Sequence, residues 1–280
     1  MRNQTLGDET TTRDGYVHVE LAVSVALLLG IAVYVSAAWG GVAEHFPAPL
    51  DGWGRLVRPT IKAWEVTNPA LWLAAHLAFG MVVPGSVLLA AGRRPGDVGL
   101  GMPNALGGRL MVSGVLVSIP FGLWLLNALP EGAIPATLRF GDLCVFLAMV
   151  PEHFLICGVV TAIMLPGRRL PCDAPIAPIE GGPFTRVLRW LGLAQPGSSA
   201  RGGRWLGWFG LNRASFGAVI ASGLMFGMIH VGKPALELLL SVPGGIAIAY
   251  VTLRSRSIWP ALCAHWSLNI APRGLSFLFG

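Results

Sequence analysis

Long apolar runs constrain this chain more than any other feature. A helix needs about 20 consecutive apolar residues to cross a bilayer. Runs of that kind recur near 17–38, 69–91, 110–129, 142–166, 214–232, 235–253 and 257–272. The last is short and interrupted by Pro260, and an eighth short segment at the C-terminus stays open. Open sheet edges cannot be satisfied in lipid, so the runs read as helices. The expected fold is all-α, a polytopic transmembrane helical bundle of seven to eight spans. Composition agrees: 12% of the residues are charged, against about 25% in soluble domains. Ten Trp and 37 Gly suit interfacial anchoring and close helix contact.

The basic residues fall unevenly between the loops. Fourteen lie in the N-terminus, the 92–109 loop, the 167–213 loop and the turn at 254–256, and six lie on the opposite side. By the positive-inside rule the N-terminus is cytoplasmic and the loop 39–68 external. The same rule accounts for the net charge of +6 without nucleic acid, which is not expected as a partner. Cys144, Cys157, Cys172 and Cys263 show no CxxC spacing, so neither a disulfide framework nor a zinc knuckle is read from them. The first sixteen residues lack a signal-peptide pattern, and the first run reads as uncleaved. In the loop 167–213, FTRVLRWLGLA and RWLGWFGLNR mix Arg with Trp, Leu and Phe. They suit either a linker with interfacial anchors or a surface-lying amphipathic helix that guides a substrate.

A charge placed mid-membrane costs about 2.5–3.5 kcal/mol on insertion scales, so each one needs a reason. Glu152 lies about ten residues into its span, deeper than any other carboxylate, and follows Pro151 in PEHFLICG. His230 ends FGMIH in a second span, and His265 and Asn269 stand at i and i+4 of HWSLN in a third. That spacing puts His265 and Asn269 on one helix face. Gly223 and Gly227 form a GxxxG pair that lets the His230 helix approach a neighbour closely. Three polar-bearing spans favour one polar cavity, with His153 at its edge. His76 has no partner motif and reads as structural, and His18 and His45 read as interfacial.

PEHFLICG, FGMIH and HWSLN resemble the three motifs of the CPBP intramembrane proteases, the group containing the type II CAAX prenyl endopeptidase. The usual forms are EExxxR, FxxxH and HxxxN. Glu152 matches the first glutamate, Phe226 and His230 the second motif, and His265 and Asn269 the third, over roughly residues 92 to 272. Two positions depart. His153 stands where the family has its second glutamate and Cys157 where it has arginine. An acid and a base have gone together, which reads as a coupled change, since a lone buried partner is costly.

The resemblance implies an intramembrane endopeptidase that needs no cofactor. Glu152 would activate water, His230 would hold that water or share its proton, and His265 and Asn269 would stabilise the oxyanion. His153, Cys157 and Phe226 would be accessory. The implied substrate is a membrane-embedded or lipid-anchored peptide or protein tail, handled in the bilayer of a bacterial cytoplasmic membrane. Residues 1–91 would form a tail and two leading spans, and residues 92–280 the protease core. Other readings stay open. His153, Cys157, His230 and His265 could ligate zinc with Glu152 as base, or Cys157 could be a nucleophile paired with His153. The fold could also serve a non-catalytic membrane binder or immunity protein, or a proton-coupled transporter.

Overall fold

In the computed structural model, residues 63–64, 67–128, 140–165, 179–194, 204–230 and 235–279 are described. The span expected at 17–38 and nearly all of the loop 39–68 lie outside them. Among the described residues every regular element is helical. They are α1 (Pro69–Ala90), α2 (Ala105–Ala128), α3 (Phe140–Met164), α4 (Pro183–Trp190), α5 (Arg204–Trp208), α6 (Arg213–Ile229), α7 (Ala235–Ser255) and α8 (Trp259–Phe279). Each expected apolar run within the described region became a helix, with ends shifted by a few residues, and α8 runs on to residue 279. Among the described residues, four helices are long and apolar enough to cross a membrane: α1, the stretch Ala105–Trp124 of α2, α3 and α7. The 17-residue α6 is shorter but also apolar.

α3 is the central helix. Of its most apolar window 78% is buried inside the molecule, against 22–28% for the other three spanning helices. Those others carry exposed Phe79, Val82, Leu116, Val117 and Leu239, the lipid-facing surface expected of a bundle in hydrocarbon. α1 packs along α3, where Trp72 meets Cys144 and Ala148. α2 packs along α8, where a Cβ at Gly114 would stand 2.6 Å from that of Ala264 and the Ser118 hydroxyl donates to the Ala264 carbonyl at 3.0 Å. α6 and α7 form a hairpin in which Gly223 faces Ile246 and Gly227 faces Val242, so the GxxxG pair lets two backbones meet. α6 begins at a reciprocal cap: Asn212 accepts from the Ser215 N–H and Ser215 accepts from the Asn212 N–H, both at 2.9 Å.

The described parts of the 92–109, 167–213 and 254–256 segments meet at one end of the bundle. The Ile258 N–H donates to the Gly99 carbonyl at 2.8 Å, the Ser257 hydroxyl to Gly101 at 2.8 Å, and the Asn104 amide to Arg254 at 2.9 Å. Arg254 itself is 1% exposed. Its guanidinium donates to the carbonyls of Gly210 and Gly192 at 3.2 and 3.4 Å. Both glycines hold positive φ, +67° and +74°, in the turns that end α5 and α4. Arg254 thereby fastens the 179–211 segment to the bundle. Within that segment α4 is amphipathic, with Phe184 and Val187 exposed, and its Trp190 indole donates to Ser113 of α2 at 2.8 Å. The Arg109 guanidinium lies 5.7 Å from the centre of the Trp190 ring.

Candidate active site

Pro151 carries no N–H, so the hydrogen-bond ladder of α3 must adjust around it. Directly downstream, Phe154–Val159 winds as a wide π turn, in which the Val160 N–H reaches back five residues to the Leu155 carbonyl. Such turns occur mostly singly inside α-helices, often at functional sites. A second wide turn, Ala78–Val82 of α1, packs against it. In an unbroken α-helix His153 and Cys157, four residues apart, would stack on one face. The π turn begins just after His153 and takes in Cys157, so that stacking does not carry across it.

Glu152 and His153 are both buried, and His153 is fully enclosed at the centre of the cluster, where the sequence put it at an edge. The ligand atoms of Glu152, His153 and His265 all lie within 4.8 Å of one another. His153 Nδ1 is 2.9 Å from the Met149 carbonyl, which can only accept, so this nitrogen donates and Nε2 presents its lone pair. That Nε2 faces His265 Nδ1 at 3.4 Å, with the ring centres 5.0 Å apart. His265 is held there by its neighbour: the Trp266 indole donates to the Phe146 carbonyl at 2.8 Å, tying α8 to α3. One turn on, the Asn269 amide donates to the His265 carbonyl at 3.0 Å. That bond uses one of its two N–H groups and leaves the second for another acceptor.

Phe226 joins the second motif to the other two. Its ring centre lies 6.4 Å from His153, 5.8 Å from His265 and 4.6 Å from His230. His230 caps the C-terminus of α6 and donates from Nδ1 to the Phe226 carbonyl at 2.7 Å. Its Nε2 stands 3.7 Å from a carboxylate oxygen of Glu237 at the start of α7. The aromatic ring of Phe226 thus packs against His230 and against the His153–His265 pair. Cys157 is fully buried. The tight group of possible metal ligands among the described residues contains Glu152, His153 and His265, and differs from the sequence-derived zinc set in holding Glu152 and omitting Cys157 and His230. His76 is buried far along α1 and bonded to the Trp72 carbonyl at 2.9 Å, as a packing residue would be.

Sequence reasoning missed Trp266, Glu237 and Arg254. Trp266 adjoins His265 inside HWSLN, and a buried indole generally finds an acceptor, so that signal was present. Glu237 sits seven residues after His230, across a turn, and only the hairpin brings the two together.

Residues 188–271 match the family model described as Rce1-like, type II CAAX prenyl endopeptidase Rce1-like. The match holds Phe226, His230, His265 and Asn269 and begins after Glu152. No curated protein and no solved structure matches the chain. The stretch that carries the second and third motifs is therefore similar to the type II CAAX prenyl endopeptidase Rce1-like family, the group those motifs resemble.

Proposed function

We propose that the chain is an intramembrane endopeptidase that cleaves a membrane-embedded or lipid-anchored peptide or protein tail. The observation that carries this reading is the meeting of three motifs from three helices: Glu152 and His153, Phe226 beside His230, and His265 above Asn269. Glu152 is the general base on water. His265 and the second N–H of Asn269 donate to the developing oxyanion. His230 shares a proton with the site, and its contact with Glu237 keeps it oriented. Residues 92–280 form the protease core, and residues 1–91 supply the leading spans.

Comparison of membrane-protein termini in cells carrying the intact chain or Glu152→Ala tests the activity. A set of new C-terminal or internal cleavage ends should appear only with Glu152. Identical termini in both, with the variant inserted at equal level, would favour the non-catalytic membrane binder.

We further propose that the basic end, with residues 98–104, 190–194, 204–211 and 254–258, faces the cytoplasm, and that the N-terminus lies on the same side. The gathering of these loops at one end supports a single side for them. A reporter joined after residue 190 should read as cytoplasmic, and an external reading refutes the orientation.

A further inference from the structure

We infer that Glu152, His153 and His265 form a three-ligand site for a divalent transition ion of the zinc class, and that the bound ion inhibits cleavage. The effect on cleavage rests on the proposed proteolytic role of Glu152, whereas the binding does not.

The geometry is that of a ligand set. In a tetrahedral site with Zn–N bonds of about 2.0–2.1 Å, two ligating nitrogens stand about 3.3–3.4 Å apart. His153 Nε2 and His265 Nδ1 stand 3.4 Å apart. Hydrogen bonds to ring nitrogens are generally shorter, with heavy atoms mostly at about 2.7–3.2 Å. The carboxylate completes the set, since one ligand atom from each of Glu152, His153 and His265 lies within 4.8 Å of the other two. It must close by up to about 1.4 Å to reach a tetrahedral edge.

The surroundings fit as well. A metal-binding histidine usually donates its other ring N–H to a carbonyl or carboxylate, which fixes the tautomer. His153 does so to the Met149 carbonyl at 2.9 Å. The Trp266 bond to Phe146 sets the helix that carries the second histidine. Two histidines and one carboxylate suit zinc and its neighbours better than magnesium or calcium, which prefer oxygen.

The ion removes the base. A carboxylate bound to a metal no longer takes a proton from water, and His265 is taken up with it. Among the described residues no further carboxylate belongs to the group, so none replaces Glu152 as base at a metal-bound water. His153 is one of the two departures from the usual first motif, so the site is particular to chains carrying histidine there.

The test uses the full chain, purified in detergent, stripped with chelator and titrated with Co²⁺. The expected result is one equivalent bound, with the intense visible absorption of a four-coordinate centre. The band should disappear in His153→Gln and in His265→Gln and persist in Cys157→Ala and His230→Gln, with thermal melts confirming that each variant is folded. His265 is partly exposed, so its variant serves if His153→Gln does not fold. Absence of a band in the intact chain overturns the site. So does a band that survives both histidine variants, or a thiolate charge-transfer band lost in Cys157→Ala. In parallel, cleavage by the stripped protein should fall at least tenfold on adding one equivalent of Zn²⁺. Stimulation by Zn²⁺ overturns the inhibitory role. Binding without any cleavage in the stripped protein counts against the proteolytic reading alone, and cleavage without binding against the metal site alone.

Discussion

Glutamine at position 152 should lower the turnover of a cleaved peptide by about 10²- to 10⁴-fold, the usual contribution of a positioned general base. The substitution keeps the shape of the side chain and removes its capacity to take a proton. Glu152 is buried midway along the most enclosed helix, so an isosteric change there should leave the melting temperature close to that of the intact protein. KM should change little if Glu152 acts on water rather than on the substrate. The measurement is single-turnover cleavage of a tail peptide in detergent or vesicles, together with a thermal melt. Turnover within threefold of the intact protein removes Glu152 from the mechanism and leaves the motif a packing feature.

The second large effect is expected from arginine at position 157. Cys157 is fully buried, and Glu152 and His153 upstream of it are buried as well. A lone guanidinium there, without a matched acid, should cost about 3–5 kcal/mol, as broken buried pairs do. The nearest acid is Glu152, which would be drawn into an ion pair and lost as a base. Adding His153→Glu supplies the carboxylate that the usual first motif provides. The double variant should therefore be milder than Cys157→Arg, with a coupling of about 1–3 kcal/mol in a double-mutant cycle on stability. His153→Glu alone sets a second carboxylate beside Glu152, and two close carboxylates do not both ionise easily. Strict additivity of the two changes would mean that the sites are independent. Loss of cleavage in Cys157→Ser, with the fold intact, would point instead to the thiol as nucleophile.

The helices were legible because hydrocarbon thickness sets their length and lipid allows almost no other backbone structure. The three motifs were legible because intramembrane charge is rare enough to stand out. Three features were not. Arg254 counted as one more loop cation, but two positive-φ turns offer it carbonyls from segments 44 and 62 residues away. Spacing along a chain carries no trace of such pairings. Glu237 stands at the start of α7, and only the packing of α7 against α6 sets it against His230. His153 was expected at the edge of the cavity, whereas it is fully buried with the rings of Phe226 from α6 and His265 from α8 against it.

The wide turn at Phe154–Val159 has a further consequence for how this helix is phased. A π turn amounts to one residue more than an α-helix of the same length would hold. Without it, every side chain from Val160 onward would rotate by about 100° relative to Glu152, the angular step of one residue. Thr161 would then turn away from Ser222, whose hydroxyl it meets at 3.1 Å. Deleting one residue from this turn and inserting one beyond it are thus not equivalent edits, although both leave composition almost unchanged. The extra residue acts as a spacer of angle rather than of length. It lets one half of the helix obey the packing of α6 while the other half aims its acid and its imidazole at α8.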